Sequence, residues 1–290
     1  AYSRYGDRRF YNEFSLNYAR KFGDHDVSGL ALFNQSDYSD ARANVTDYKG
    51  AIPYRQRNLV GRGTYGYKDR YFVEANFSYS GSDNFIPSKR YGFFPSIGAG
   101  WIVSNEAFFE PLKGIFSHFK LRYTYGKSGN AAVTSSALRF LYLTTIGNTV
   151  YDYTFGEPGA TRNYAGFGES RIGGDVKWES SYRQNLGIEM NFLKDDLQLI
   201  VELFNEKRRG ILLPNYVIPY NSGFTIGNIP YNNIGATGNK GIDATLNYTK
   251  NFSKDNFFSF RGTFNYNKNL AEFDGLPPWR YDYLNRIGQP

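Results

Sequence analysis

The chain has 290 residues and a formal net charge of +7, from 34 basic and 27 acidic side chains. It has no cysteine, which excludes a disulfide framework and thiolate chemistry, and its two histidines have no neighbours at metal-ligand spacing. The basic residues are scattered through turns and loops rather than gathered in a patch, so we expect no nucleic-acid partner.

Hydropathy excludes a membrane protein that crosses the bilayer with helices. Mean hydropathy is −0.55. No run of about 18 apolar residues is present, so no helix is expected to cross a membrane. Strands can still cross, because a transmembrane barrel places its apolar side chains at every second residue and average hydropathy misses them. Aromatic residues make up 19% of the chain, more than a soluble core requires.

Ten segments alternate apolar and polar residues, the pattern of a strand with one apolar face. The clearest is 71–80, where the odd positions are apolar and the even positions from Glu74 onward are polar. In chain order the predicted strands lie near residues 10–20, 26–35, 57–67, 71–80, 94–103, 119–125, 186–192, 197–203, 242–248 and 258–266.

The connections between these strands alternate in length. Tight polar turns are predicted at 21–24, 68–70 and 194–196, and Ser104–His118 is the one connector with helical character. The long loops are predicted at about 36–56, 81–93, 127–181, 207–240 and 268–290.

A soluble barrel or sandwich would show the same alternation, with its apolar face turned inward. Three features favour a membrane barrel. Short and long connections alternate, as at the periplasmic and extracellular ends of outer-membrane barrels. Aromatics such as Tyr71 and Trp101 crowd the strand ends, and the opposite faces carry full charges at mid-strand, including Glu74 and Arg122. A wet lumen tolerates such charges, whereas a dry core does not. The sequence therefore predicts an all-β fold, an antiparallel transmembrane β-barrel of the outer-membrane type over residues 1–290.

Nothing in the sequence indicates an enzyme or a cofactor. The segment Gly61–Gly66 matches G-x-G-x-x-G, but it lies inside a predicted strand instead of between a strand and a helix. Close packing or strand curvature is the better explanation for these glycines.

Four segments carry a family resemblance: YGFFPSIGAGWIVSNEAFF (91–109), LRYTYGKSGN (121–130), VKWESSYRQNLGIEMNFLKDDLQLIVELFNEKRRGILL (176–213) and NIGATGNKGIDATLNYTKN (233–251). In order and spacing they resemble the C-terminal barrel portion of SusC/RagA-type TonB-dependent outer-membrane transporters. The resemblance implies a plugged barrel of about 22 strands in the outer membrane of a Gram-negative bacterium. It also implies import of large nutrients, oligosaccharides or peptides, with TonB and a SusD-like surface lipoprotein as partners and outer-membrane lipids around the barrel.

The sequence shows about ten strands, no plug and no TonB-contacting segment, and it begins at Ala1 without an initiator methionine. An open sheet of this kind would leave two unpaired edges in lipid. We therefore expect a fragment of a larger barrel. The main hypothesis is part of a TonB-dependent importer. A structural or docking barrel of a larger outer-membrane assembly is the alternative, and a soluble β-rich binding module comes third.

Aromatic residues in the long loops are the candidate substrate contacts, because their rings stack on sugar faces. They are Tyr151, Tyr153, Tyr164, Phe167, Trp178, Tyr216 and Tyr220. For any one of them, packing of the loops against each other is the competing explanation. No catalytic or metal-binding residue is predicted.

Overall fold

Ten long strands form one antiparallel sheet. The computed structural model describes residues 6–40, 49, 52–131, 138–148, 153–155, 162–164, 167–218, 229–253 and 255–289. Among these, the long strands are β1 (Asp7–Phe22), β2 (His25–Asp40), β3 (Tyr54–Tyr67), β4 (Tyr71–Ser82), β5 (Tyr91–Ile102), β6 (Phe116–Asn130), β11 (Glu179–Phe192), β12 (Leu197–Pro214), β13 (Tyr231–Asn251) and β14 (Phe257–Phe273).

Each long strand pairs with its neighbours in the chain, in the order β1-β2-β3-β4-β5-β6-β11-β12-β13-β14. Between β6 and β11, the described residues include four short strands: β7 (Thr145–Asn148), β8 (Tyr153–Phe155), β9 (Arg162–Tyr164) and β10 (Phe167–Arg171). They form two separate hairpin-like pairs, β7 with β10 and β8 with β9. The up-and-down order and the number of long strands confirm the all-β antiparallel architecture that the sequence predicted.

The strands reach further into the long connections than predicted. β2 runs to Asp40, β6 to Asn130, β12 to Pro214 and β14 to Phe273, so the loop bounds 36–56, 127–181, 207–240 and 268–290 began too early. The loop predicted at 81–93 is likewise shortened, since β4 ends at Ser82 and β5 begins at Tyr91. Beyond the apolar band, both faces of a strand meet water, so the side chains no longer alternate between apolar and polar. The backbone hydrogen bonds between neighbouring strands do not depend on that alternation and continue past its end. Periodicity alone therefore underestimates strand length.

The connections at the other end are short. Phe22 pairs with His25 across a two-residue turn in which Gly23 has a φ of 58°. Lys68 and Asp69 take the left-handed conformation between β3 and β4. The connector with helical character consists of two 3-10 helices, Val103–Asn105 and Ala107–Leu112. Two more 3-10 helices lie at Pro87–Lys89 and Asp282–Leu284. No helix in the described ranges is long and apolar enough to cross a membrane.

The sheet exposes its apolar face. On β4 the odd positions are exposed and the even positions are half-buried from Tyr71 to Ser80. Phe77 is 39% exposed and Ile97 is 54% exposed, although both lie near the middle of their strands. A soluble barrel would bury these side chains, and a lipid-facing wall exposes them.

Aromatic pairs lie at both ends of this apolar face. Tyr71 stacks on Trp101 at the short-turn end, with ring centroids 6.4 Å apart. Tyr79 stacks on Tyr91 at the long-loop end, with ring centroids 5.0 Å apart. Amphipathic rings at two levels are typical of the two membrane–water interfaces of a barrel.

Candidate functional site

The polar face of the sheet carries a network of charges across three neighbouring strands. Arg122 on β6 donates from Nε to Glu189 on β11 (2.9 Å) and from a terminal nitrogen to Glu202 on β12. Gly187 lies opposite Arg122 in the ladder, and a Cβ there would be 2.6 Å from the Arg122 Nε. The missing side chain at Gly187 therefore lets the guanidinium cross β11 and reach Glu202.

A second charged group lies on β3 and β4. Arg62 donates to Glu74 (2.7 Å), and Asn76 donates to the other oxygen of the same carboxylate (2.8 Å). These strands and β5, β6 and β11 line a cavity of about 900 Å³ on the polar face. The charges of these two groups are paired and hydrogen-bonded, so they can line a water-filled lumen without being isolated buried charges.

The long-loop end has its own apolar cluster. Phe85, Leu141 and Val176 are at most 4% exposed and come from two different connections. Trp178 packs on this cluster, with ring centroids 5.2 Å from Phe85, and its Nε1 donates to the Arg90 carbonyl oxygen at 3.1 Å. The cluster joins the β4–β5 connection to the β6–β11 connection.

Arg139 binds a third connection to this cluster. Its side chain is fully buried, and it donates to the carbonyl oxygens of Lys49 (2.7 Å) and Pro53 (3.0 Å), which lie between β2 and β3. It also donates to Asn84 Oδ1 (3.3 Å) and forms an ion pair with Asp83 (3.4 Å). Burial raises the pKa of the Asp83 carboxyl, and the Arg139 guanidinium opposes that rise. One arginine therefore holds three loop connections in a fixed arrangement.

Among the predicted contact residues, Trp178 and Tyr216 are the two whose side chains the structure describes. The ring of Trp178 also meets Phe94 at 5.3 Å and lines a cavity of about 520 Å³ beside the polar wall. Tyr216 is half-buried just after β12. Tyr153, Tyr164 and Phe167 lie in β8, β9 and β10, for which only the backbone is described. Tyr151 and Tyr220 lie outside the described residues.

Arg139 and Phe85 were not singled out in the sequence. Arg139 lies in the longest connection, in a segment without strand periodicity, and Phe85 is one of 25 phenylalanines. The hydrophobic segment RFLYL (139–143) inside the longest connection was the one available signal, because an apolar run in a loop needs a surface to pack on.

In the G-x-G-x-x-G segment, close packing holds at Gly61, whereas a Cβ at Gly63 would have no other atom within 4 Å. A Cβ at Gly61 would lie 2.2 Å from the ring of Phe77 on the adjacent strand. The glycine thus makes room for an aromatic side chain of the lipid-facing surface. In the described part of the chain, no group of three or more His, Asp or Glu residues could hold a metal ion.

An open antiparallel sheet with an apolar outer face, aromatic rims and a charged inner wall defines a segment of a transmembrane β-barrel of the outer-membrane type. Residues 1–288 match the family model described as "TonB dependent receptor-like, beta-barrel". The chain belongs to this family, which consists of transport receptors and not enzymes.

Two curated relatives show how much of such a receptor the chain represents. It is 31% identical to TonB-dependent receptor P39 of Formosa agariphila, over 94% of this chain and 27% of that protein. It is 28% identical to TonB-dependent receptor SusC of Bacteroides thetaiotaomicron, over 74% of this chain and 21% of that protein. The chain thus spans about a quarter of the length of these relatives, and the SusC/RagA resemblance is confirmed.

Solved structures agree on the fold. The structure of the RagAB peptide transporter superposes with a TM-score of 0.74 at 20% identity, covering 99% of this chain and 33% of that chain. The siderophore receptor PirA of Pseudomonas aeruginosa gives a TM-score of 0.52 at 11% identity, over 92% of this chain and 46% of that chain. The ten-stranded sheet is therefore a fragment of a larger barrel.

Proposed function

We propose that this chain forms part of the barrel wall of a TonB-dependent importer in the outer membrane of a Gram-negative bacterium. The observation that carries the proposal is the match of nearly the whole chain to the receptor barrel family. The inner wall supports it, since paired charges such as Arg122 with Glu189 and Glu202 suit a water-filled passage. The barrel performs no covalent chemistry.

The proposed cargo is a large nutrient, an oligosaccharide or a peptide. One relative is named SusC, and one structural neighbour is described as a peptide importer. By the same likeness, a SusD-like lipoprotein covers the long-loop end, which faces outward, and TonB acts from the periplasm through a segment outside this chain. The loop aromatics, Tyr216 among them, would contact cargo where the clustered loops meet the lumen.

The test is an uptake assay in the source bacterium. Labelled oligosaccharides and labelled peptides are offered to the wild type, to a strain lacking the receptor and to a strain lacking TonB. We expect one of these cargo classes to require both the receptor and TonB. Normal uptake in both mutant strains would overturn the importer, and co-purification of the receptor with an envelope assembly would then favour a docking role.

A Tyr216→Ala strain tests the proposed contact. We expect it to lower uptake without lowering the amount of folded receptor in the membrane. Val217→Ala is the matched control, because Val217 is the exposed neighbour and offers no ring for stacking. Equal uptake by the Tyr216→Ala strain and the control strain would remove Tyr216 from the contact set.

A further inference from the structure

The connector between β5 and β6, residues 103–115, exposes large apolar side chains beyond the ends of the strands. Phe108 is 65% exposed, Leu112 is 43% exposed and Ile115 is 60% exposed. The three lie within eight residues of each other at the short-turn end of the sheet. An exposed apolar group of this size on a membrane protein indicates a surface that something covers.

The connector folds against the outside of the wall. Phe108 meets Trp101 edge to face, with ring centroids 6.3 Å apart. Phe109 is 5% exposed and stacks on Phe119 at 5.9 Å. Trp101 shares the lipid-facing side of β5 with Ile97, and Phe119 begins the lipid-facing side of β6. The apolar surface of the connector is therefore continuous with the lipid-facing surface of the barrel and separate from the lumen.

Glu106 marks the level of the membrane–water boundary beside this connector. Its carboxylate accepts from the Tyr71 hydroxyl (2.6 Å), from Trp101 Nε1 (3.2 Å) and from Arg70 (3.2 Å). Tyrosine and tryptophan place their polar atoms at the headgroup level when their rings lie in the apolar region. Phe108 touches the ring of Trp101, so it lies at this same level.

The exposed apolar group is accompanied by charges that suit a headgroup layer. Lys113 pairs with Glu110 at 2.8 Å, and both are exposed. A short segment with aromatic and aliphatic side chains on one side and a basic residue among them is typical of an interfacial membrane element. Lipid is the occupant that this continuity favours, because the neighbouring wall already faces lipid.

We propose that residues 103–115 form an interfacial anchor that binds phospholipid of the leaflet at the short-turn end. Phe108, Leu112 and Ile115 enter the boundary between headgroups and acyl chains, and Lys113 lies at the level of the phosphates. The proposal rests on the membrane-spanning fold and is independent of import, cargo and TonB.

Site-directed spin labelling of the full receptor in phosphatidylethanolamine–phosphatidylglycerol vesicles tests the anchor. Single cysteines for the label replace Phe108, Leu112 or Ile115, with other cysteines of the polypeptide removed. Oxygen concentrates in lipid and a nickel chelate stays in water, so their effects on label relaxation report the surroundings. Val73→Cys serves as the lipid control. Asp69→Cys serves as the water control, because Asp69 lies beside the connector, where its carbonyl oxygen accepts from Asn105 at 2.7 Å.

We expect all three connector labels to respond more to oxygen than to nickel, as Val73→Cys does, and Asp69→Cys to show the reverse. Labels that respond mainly to nickel would overturn the proposal, because the connector would then lie in water. Labels that respond to neither reagent would overturn it as well, because a protein partner would then cover the connector. Each labelled variant is first checked for a native circular dichroism spectrum.

Discussion

Arg139 shows how one buried side chain can organise a set of loops. Its guanidinium donates to backbone and side-chain oxygens of two other connections and lies 3.8 Å from the ring centroid of Tyr54. A planar guanidinium has five N–H donors that point in different directions and can reach several separate acceptors, whereas a lysine ammonium has three donors on a single nitrogen. The loop cluster thus depends on a residue type as well as on a charge.

Replacing Arg139 by methionine should unfold the loop cluster locally. The substitution leaves the Asp83 carboxylate and several carbonyl oxygens without their partner, which costs about 3–5 kcal/mol for a buried ion pair. The local unfolding is measured by hydrogen exchange of the Gly174 amide, which donates to the Leu141 carbonyl oxygen at 2.9 Å in the folded cluster. Arg139→Lys should recover little of the protection.

Arg208→Met is the matched control for this experiment. Arg208 also pairs with a carboxylate, Glu206 at 2.7 Å, but its side chain is 63% exposed, so its loss should change stability by less than about 1 kcal/mol. Wild-type protection of Gly174 in the Arg139→Met variant would show that the cluster holds without the arginine.

Glu106 should make the short-turn end sensitive to acid. The hydrogen bond from Tyr71, with a second from Trp101, holds the pKa of the Glu106 carboxyl below its usual range. A lowered folded-state pKa gives stability that is present above the unfolded pKa, about 4.3, and is lost as the pH falls through the folded value. Unfolding by urea in vesicles, followed from pH 6 to pH 3, should show this loss.

The Glu106→Gln variant separates this group from the other carboxylates. The difference in unfolding free energy between the wild type and Glu106→Gln should be constant above the usual carboxyl range and shrink below it. Tyr71→Phe removes the hydrogen bond that lowers the pKa of the Glu106 carboxyl most. In this variant, the unfolding free energy should therefore depend on the charge of Glu106 over a narrower pH range. A difference that does not vary with pH would mean that the carboxylate contributes nothing through its charge.

At the scale of a single element, β4 separates lipid from lumen with each successive residue. Ala75 lies midway between the two aromatic levels at Tyr71 and Tyr79, and its side chain is exposed on the apolar face. Asn76 lies on the other face, where it donates to Glu74. One strand therefore supplies both an outer surface that excludes charge and an inner surface that carries it.

Ala75→Arg should destabilise the receptor by about 2–4 kcal/mol in bilayers, because it places a charge near the midplane on the lipid side. Asn76→Arg should fold nearly normally, since its side chain faces the wet wall beside the Glu74 carboxylate. Reversible unfolding in vesicles gives the unfolding free energy of each variant for comparison with the wild type. Equal losses at the two positions would contradict the assignment of faces.

At the scale of the whole molecule, the sheet has two edges. Within the described residues, β1 pairs with β2 alone and β14 pairs with β13 alone among the long strands. Every described position of β1 is exposed. Unpaired backbone groups are unfavourable in lipid, so these edges require further strands of a closed barrel.

The 290-residue piece alone should therefore fail to form a monomeric barrel in bilayers. We expect the full receptor to show the heat-dependent shift in gel mobility of a closed barrel, and the isolated piece to aggregate or to associate through its edges. Cross-linking followed by gel electrophoresis distinguishes these states. A monomeric, heat-modifiable form of the piece would contradict the edge argument.

The sequence by itself predicted the number of long strands, because period-two alternation is a local property that residues such as Ala75 and Asn76 carry directly. It predicted the membrane class and the lipid side only together with the aromatic strand ends, the mid-strand charges and the alternating loop lengths, since alternation alone also fits a soluble barrel. It could not give the strand ends, since above the membrane the alternation disappears while the ladder continues to Asn130 and Pro214. Nor could it give the loop cluster. The contacts of Arg139 with Lys49 and Asp83 join residues separated by 90 and 56 positions, and only tertiary structure decides which distant polar groups a buried guanidinium meets.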